Sequence, residues 1–461
     1  MGVDPKIRPL LKLAGVLAGL GWLAAVLPLS GDEAYYWECG QRLDWSYFDQ
    51  PGLVIWLTRG FTEVLGHTAL AVRAPAILFT GLTGLLMFVW LGESGMALFL
   101  GLRLLPLLFF GSFYLSTDAG LGFFYLLAAY CFVRIRETSE WRWWLLLGAA
   151  IGLGFLAKFP IVLAAILIFF IPWKPVRFGQ VLAAFGIASA FTAPVWIYAA
   201  HHAWANIGFQ LFGRHASDTA LGDRLLRFWG PQIGIVGPLL FPVALLALWR
   251  ARREDRLLWA AGLIPIAFFG LLAFKSPMAP HWAAPGIPVL AVLASRHWDR
   301  RWVRAALAVN AALIAVLLAL VLFPRLLLPL APKAAGSFLG PARLREFVER
   351  AREPGEILAT ESYSTAALLN FQWGKAGEML AGIANRGPHG LSYLYWQEPL
   401  DLLGRDLLFV STRRSFVHFL RPRCERIESV MELPVVERGK TLKIYYIHRC
   451  RGLTNEDMFK P

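Results

Sequence analysis

Apolar residues run through the first two-thirds of the chain in stretches separated by short polar loops. A membrane-spanning helix needs about 20 mostly apolar residues. Eleven runs approach this: Leu10–Leu29, Thr68–Leu91, Gly95–Tyr114, Gly120–Val133, Trp143–Leu156, Phe159–Trp173, Val181–Ala200, Gly230–Leu248, Trp259–Phe274, Ala283–Ala294 and Val303–Phe323. The shorter ones read as tilted or discontinuous spans. Beyond Phe323 the pattern changes. Glu356–Thr360 and Asp406–Ser411 read as strands and Ser364–Asn370 as a short helix. Val430–Val436 and Thr441–His448 read as a hairpin around Glu437-Arg438-Gly439-Lys440. The pattern therefore predicts an α-helical polytopic membrane domain over 1–323 and a C-terminal soluble α/β domain over 324–461. The Pro-rich stretch Pro324–Pro341 marks the boundary.

Composition agrees with this division. Hydrophobic residues make up 57% of the 461 and charged residues 16%, against about a quarter charged in soluble domains. Mean hydropathy is +0.53. A disordered chain and an ordinary cytosolic protein are excluded. Charged residues form about a quarter of 324–461 but only about 13% of 1–323. The net charge of +14 is spread over short loops and forms no single basic face, so no nucleic-acid partner is expected.

Basic loops stay cytoplasmic. Lys6, Arg8 and Lys12, then Arg134/Arg136, Lys174/Arg177, Arg250/Arg252/Arg253/Arg256 and Arg296/Arg300/Arg301 all fall on the N-terminal side if eleven spans are counted. Loops 30–67, 201–229 and 275–282, and the C-terminal domain, then lie outside. The first run lacks a small-residue cleavage site, so it is expected to stay as a span. No Asn-x-Ser/Thr acceptor occurs, which favours a bacterial plasma membrane. The four cysteines, Cys39, Cys131, Cys424 and Cys450, have no metal-binding spacing. Cys131 reads as a packing residue. Cys424 and Cys450 could pair if their domain is extracytoplasmic.

The first outer loop is the richest in chemistry. In Ser30-Gly-Asp-Glu-Ala-Tyr-Tyr-Trp-Glu-Cys-Gly40, Ser30 can cap a short helix that Gly40 ends. Asp32 and Glu33 suit its first turn, and Tyr35, Tyr36, Trp37, Trp45 and Trp56 suit a lipid–water interface. Capping and an aromatic belt leave unexplained why Asp32, Glu33, Asp44 and Asp49 are gathered against a membrane. Charges at span ends are costly and usually functional. Asp118 follows Ser116-Thr117 and could be a helix cap. Lys158 lies between two spans and could snorkel. Lys275-Ser-Pro-Met-Ala-Pro-His281-Trp282 could be a Pro-shaped turn, or an anion site where a helix N-terminus meets Lys275 and His281. In loop 201–229, Arg214 and His215 stand out among largely solvated charges. Outer carboxylates facing outer cations suit attack on a substrate with an anionic leaving group. They also suit a proton-coupled transporter, though transporters more often show midplane charges and repeats.

Gly31-Asp-Glu-Ala-Tyr-Tyr-Trp followed by Trp45-Ser-Tyr-Phe-Asp-Gln-Pro resembles the first outer loop of glycosyltransferase family 39. These GT-C-fold enzymes include protein O-mannosyltransferases and bacterial aminoarabinose transferases of lipid A. Val72-Arg-Ala-Pro75, Ser116-Thr-Asp118, Ala157-Lys-Phe-Pro160, Phe209-Gln…Gly213-Arg-His215 and Lys275…His281-Trp282 extend the resemblance in order. So do Glu361-Ser-Tyr-Ser-Thr-Ala-Ala-Leu-Leu and Gly404-Arg-Asp-Leu-Leu-Phe-Val in the C-terminal domain.

The resemblance implies a GT-C fold with about eleven spans. It implies inverting transfer of a sugar from a polyprenyl-phosphate donor to a lipid A, other envelope-glycan or protein acceptor outside the membrane. Asp32 matches the acidic residue taken as base, followed by Glu33. Lys158, Lys275, His281, Arg214 and Arg59 are candidates for the donor phosphate, with Arg73 as a further cation or a mere span end. Tyr35, Tyr36, Asp49, Asp118 and Trp282 are candidates for substrate contacts. Some relatives have Lys where this chain has Gln50. Some bind a divalent metal near this loop, for which Asp49 and His215 would be the ligands here; no other cofactor is implied. If the acceptor were a phosphate, Asp32 would mainly orient it. A multi-pass inner-membrane monomer with its N-terminus cytoplasmic is expected. A lipid-linked oligosaccharide ligase is the second reading and a transporter the third.

Overall fold

The computed structural model describes residues 7–172, 176–213, 219–381, 389–396, 398–455 and 457–459. The helices begin with α1 (Arg8–Val26), α2 (Gly31–Gly40), α3 (Leu53–Leu65), α4 (Ala69–Leu91), α5 (Glu93–Leu102), α6 (Pro106–Phe110), α7 (Thr117–Thr138) and α8 (Trp141–Ala157). They continue with α9 (Phe178–His201), α10 (Ala205–Leu211), α11 (Leu221–Trp229), α12 (Gln232–Val236), α13 (Leu240–Ala251), α14 (Arg256–Leu272), α15 (Gly286–Ala294) and α16 (Arg300–Leu322). The C-terminal part adds α17 (Pro332–Ala351), α18 (Tyr363–Trp373) and α19 (Phe416–Leu420). Two compact units result. One is Met1–Val26, Asp44–Val64 and Arg73–Ala315; the other is Leu27–Leu43, Leu65–Val72 and Val316–Pro461.

The first unit is that of a multi-pass membrane protein. Among the described residues five helices, α1, α4, α7, α9 and α16, are long and apolar enough to cross a bilayer, and α11–α12 with α13 form a pair bent by 92°. The bend sits at Gly237, whose φ of +105° suits only glycine. Asn310 Nδ2 donates to the Val236 carbonyl there at 2.9 Å, and a Cβ on Gly237 would collide with that amide. Each of the eleven expected runs carries helix, but the others are shorter. Pro106 divides the run Gly95–Tyr114 into α5 and α6. The run after Lys158 is a 3₁₀ helix, Phe159–Phe170; its 12 residues reach about 24 Å, against about 18 Å as α-helix. Gly148 and Gly152 let α8 lie against the backbone of α9 at Ala184 and Ala188, the small-residue contact that draws helices together in lipid. Phe178, Phe185, Trp249 and Leu271 stay exposed, as lipid-facing side chains do.

The second unit holds a five-stranded sheet in the order β2-β1-β3-β5-β4. Its strands are β1 (Ile357–Thr360), β2 (Met379–Ala381), β3 (Leu407–Ser411), β4 (Cys424–Glu437) and β5 (Lys440–Leu453). β1 pairs in parallel with β2 and β3, while β5 runs antiparallel to β3 and β4. The expected hairpin is present and longer than read. Arg438 and Gly439 both take positive φ, as a two-residue turn matched to strand twist requires. Ala359, Leu407, Phe409, Phe416, Leu420 and Leu453 form the core, and the Cys424–Cys450 disulfide is part of it.

The segment 27–43 from the first outer loop belongs to this second unit. Its helix α2 is capped by Ser30, whose hydroxyl accepts from Glu33 N at 3.3 Å while Glu33 Oε2 accepts from Ser30 N at 2.9 Å. α2 lies on α18 so closely at Gly31 that a Cβ would stand 2.2 Å from Ser364 Cβ. Trp37 meets Phe371 edge-on, and His67 Nε2 lies 2.7 Å from the Phe371 carbonyl oxygen.

Candidate active site

In the second unit, the capping box uses Glu33, which is buried, and leaves Asp32 exposed one residue earlier. Tyr363 OH donates to Asp32 Oδ1 at 2.5 Å. Tyr363 stands at the start of α18, whose N-cap is Ser362. Tyr35 and Tyr36 are buried. The Tyr35 ring stacks on Tyr393 at 5.8 Å and meets Tyr363 edge-on at 5.4 Å.

Below them sits Glu38, a fully buried carboxylate that the sequence reading passed over. It accepts from Asn370 Nδ2 at 2.9 and 3.0 Å, from Gly377 N at 2.8 Å and from Tyr393 OH. Arg42 adds an ion pair at 3.3 Å. Burial, and then the negative charge of Glu38, hold the Tyr393 hydroxyl well above its ordinary pKa. It therefore stays a neutral donor, and α2 is locked in place beneath Asp32.

In the first unit a second constellation forms at helix ends. Ser116 caps α7 by accepting from Asp118 N at 3.3 Å. The cap is thus Ser116, and the Asp118 carboxylate is left to pair elsewhere. Lys158 closes α8, its N–H donating to Gly154 O at 2.8 Å, and its backbone then turns extended before Pro160. Its ammonium donates to Asp118 Oδ1 at 2.6 Å and stands 5.7 Å from the centre of the Trp282 ring. His281 Nε2 lies 3.7 Å from Asp118 Oδ2. The three side chains are 13%, 26% and 40% exposed for Lys158, Asp118 and His281. They are dry enough to strengthen their attraction and open enough to admit a ligand.

Asp118 and His281 also line a cavity of about 260 Å³ with Thr80, Thr83, Arg103, Tyr114 and Ser116. Arg103 donates to Ser112 Oγ at 2.7 Å and to the Leu108 carbonyl at 3.3 Å, holding the break between α5 and α6. It lies inside the apolar run Gly95–Tyr114. A charge there was a signal the sequence offered and the reading did not take up.

The other expected residues fall elsewhere. Lys275 is exposed just past α14, and Pro280–Ala283 form a four-residue 3₁₀ turn. Arg59 pairs with Glu63 one turn along α3. Arg73 is buried and donates to the Ala24 carbonyl at 3.0 Å, a structural role. Asp49 is buried in a tight turn where Tyr47 N donates to Gln50 O at 3.1 Å, and Gln210 Nε2 reaches the Asp49 carbonyl at 3.0 Å. Arg214 and His215 lie outside the described residues. Among the described residues no three His, Cys, Asp or Glu side chains gather as a metal site would need, and His215, the other ligand expected beside Asp49, lies outside them.

The sequence profile described as "Dolichyl-phosphate-mannose-protein mannosyltransferase" matches residues 49–198. A lipid A galacturonosyltransferase, RgtD of Rhizobium johnstonii, is 26% identical over 90% of this chain and 92% of its own. An undecaprenyl phosphate-α-4-amino-4-deoxy-L-arabinose arabinosyl transferase of Pectobacterium carotovorum is 29% identical over 55% of this chain, a match spanning about half (53%) of that relative. The crystal structure of ArnT from Cupriavidus metallidurans superposes with a TM-score of 0.64 at 18% identity, covering 95% of this chain and 97% of that one. The same enzyme bound to undecaprenyl phosphate gives 0.62 at 17% identity, covering 96% and 98%. The chain is a glycosyltransferase similar to these enzymes, and it has the fold of the solved ArnT structures.

Proposed function

We propose that the enzyme moves a sugar from an undecaprenyl-phosphate-type donor to lipid A or a related envelope glycolipid. The transfer inverts the anomeric carbon and takes place at the outer face of the bacterial inner membrane. The Asp118–Lys158–His281 cluster, two of whose members line a largely apolar cavity, carries this reading. The cavity wall is mostly apolar, with Phe79, Leu107, Phe110 and Phe123, which suits the polyprenyl chain of the donor, and the cations suit its phosphate. Support for the donor and acceptor comes from the galacturonosyl and arabinosyl transferases to which the chain is similar. Support for the orientation comes from the basic loops and from the Cys424–Cys450 disulfide, which belongs in an oxidising compartment. The enzyme works as a monomer with its N-terminus cytoplasmic.

In this mechanism an acceptor hydroxyl attacks C1 of the sugar, the C1–O bond to phosphate breaks, and Asp32 takes the hydroxyl proton. Tyr363 holds Asp32 Oδ1, which orients the carboxylate for that role. The leaving group is a phosphate monoester, already anionic, so it needs cations and no general acid. Lys158 and His281 supply these. Asp118 balances Lys158 until the donor phosphate arrives. If the acceptor is itself a phosphate, Asp32 orients it instead. Asp32→Asn in the folded protein is expected to abolish transfer from undecaprenyl-phosphate sugar to lipid A, followed by mass spectrometry. Full turnover would overturn the assignment of the base, and the mass added by the wild type identifies the sugar.

A further inference from the structure

We propose that the second unit carries a distal carbohydrate subsite, a cavity of about 270 Å³ at Trp373, which holds a sugar ring of the acceptor remote from the reacting one. This rests on the acceptor being an envelope glycolipid. Glu349 of α17, Arg352 just past its end, Leu358 of β1, Trp373 at the end of α18, and Lys375 and Glu378 before β2 line the cavity. Gly374, in the left-handed region at φ +67°, ends α18 and turns the chain so that Lys375 and Glu378 close the wall.

A sugar ring offers an apolar C–H face and a rim of hydroxyls that both donate and accept. Its binding needs a flat aromatic surface with fixed polar groups around it. Trp373 Nε1 donates to Glu349 Oε1 at 2.7 Å, so its ring plane is set and its N–H is already engaged. The ring surface is what remains for a ligand. Arg345 Nε holds the same Glu349 oxygen at 2.9 Å, and these two bonds keep the Glu349 carboxyl below its usual range. The Arg352 guanidinium is fixed by two bonds to the Glu356 carbonyl, at 3.1 and 3.0 Å, and by Glu378. Lys375 is exposed, with no ion pair among the described residues. Two cations and two carboxylates cancel, so the cavity favours a neutral ring over a phosphate. None of these groups takes part in the networks of Asp32 or Glu38.

The placement fits an extended acceptor. Ten residues of α18 separate Tyr363, which holds Asp32, from Trp373, a rise of about 15 Å. That is the reach of a few linked sugars.

The test uses the full-length enzyme in detergent with two acceptors, lipid A bearing its core oligosaccharide and lipid A alone. Trp373→Ala is expected to raise KM for the core-bearing acceptor roughly five- to tenfold, the scale of one aromatic contact. The kcat, the donor KM and the core-free acceptor are expected to be unchanged. Lys375→Ala, at an exposed position that leaves folding intact, is expected to raise the same KM about twofold, and Trp373→Phe to restore most of the binding. An unchanged KM, or an equal rise with both acceptors, overturns the subsite. If the wild type glycosylates neither acceptor, the acceptor reading falls. Saturation-transfer NMR with free core oligosaccharide then decides the cavity alone. Signals in the wild type that vanish in Trp373→Ala support it, and none in the wild type overturn it.

Discussion

Removing the Glu38 carboxylate should loosen the helix that presents Asp32. Glu38 is fully buried and satisfies two buried donors, Asn370 Nδ2 and Tyr393 OH, and the half-buried Gly377 N. A hydrogen bond to a charged group contributes about 1.5–3 kcal/mol, and a stranded buried donor costs about 1–3 kcal/mol. The Arg42 pair is a third exposed on the arginine side and adds little. The bonds share one carboxylate and are not additive. The stranded donors, taken together and not added, place Glu38→Ala at about 2–4 kcal/mol. For a unit of this size that lowers Tm by on the order of 10 °C. Glu38→Gln keeps a carbonyl to accept one donor but sets its amide against another, so it should fall between. Tyr393→Phe should cost about 1–2 kcal/mol.

Calorimetry in detergent, read against transfer assays below the lowered Tm, checks both parts of the argument. The expected order of stability is wild type, Tyr393→Phe, Glu38→Gln, Glu38→Ala, with kcat falling along the series. A Glu38→Ala protein within about 0.5 kcal/mol of wild type, below the ordinary scale of such losses, would refute the packing argument. A large stability loss with kcat intact would refute the claim that Glu38 positions Asp32.

Other outcomes follow from the same geometry. Lys158→Ala should lower kcat/KM for the donor by roughly 10²–10³-fold, the scale for losing one charge-stabilising donor, with Lys158→Arg partly active; equal turnover would remove Lys158 from the phosphate site. The Cys424–Cys450 bridge closes a 26-residue separation, so Cys424→Ser with Cys450→Ser should cost about 3.5 kcal/mol on the chain-entropy scale. A reductant should lower the Tm of the wild type and leave that of the double variant unchanged. Burial holds His448 below its ordinary pKa of 6.5, with the Glu361 charge opposing. The unfolded chain therefore binds the proton first. His448 stabilises fully above pH 6.5, and this contribution shrinks as pH falls towards the folded-state value. Melting at pH 7.5 and 5.5 should show that slope in the wild type and a shallower one in His448→Phe.

Local signals were readable because their causes are local. Ser30 and Glu33 are three residues apart, and the capping box needs nothing further. The hairpin turn needs only Arg438-Gly439. The apolar runs follow from bilayer thickness, although Pro106 and the 3₁₀ winding after Lys158 show that a run of apolar residues does not specify an unbroken α-helix. Asp118, Lys158 and His281 each stood out as charges at helix ends, yet nothing in sequence says that they meet. Lys158 finds Asp118 across 40 residues, and His281 reaches it from still farther along the chain. Glu38 escaped notice for the opposite reason. Amid buried aromatics it reads as one more polar position on a short helix. Its role exists only because Asn370, Gly377 and Tyr393 arrive from more than 300 residues away. A charge near a membrane is therefore conspicuous in sequence when its neighbours are apolar, as Lys158 was and Arg103 should have been. A carboxylate that organises an outer domain becomes visible only once the fold supplies its donors.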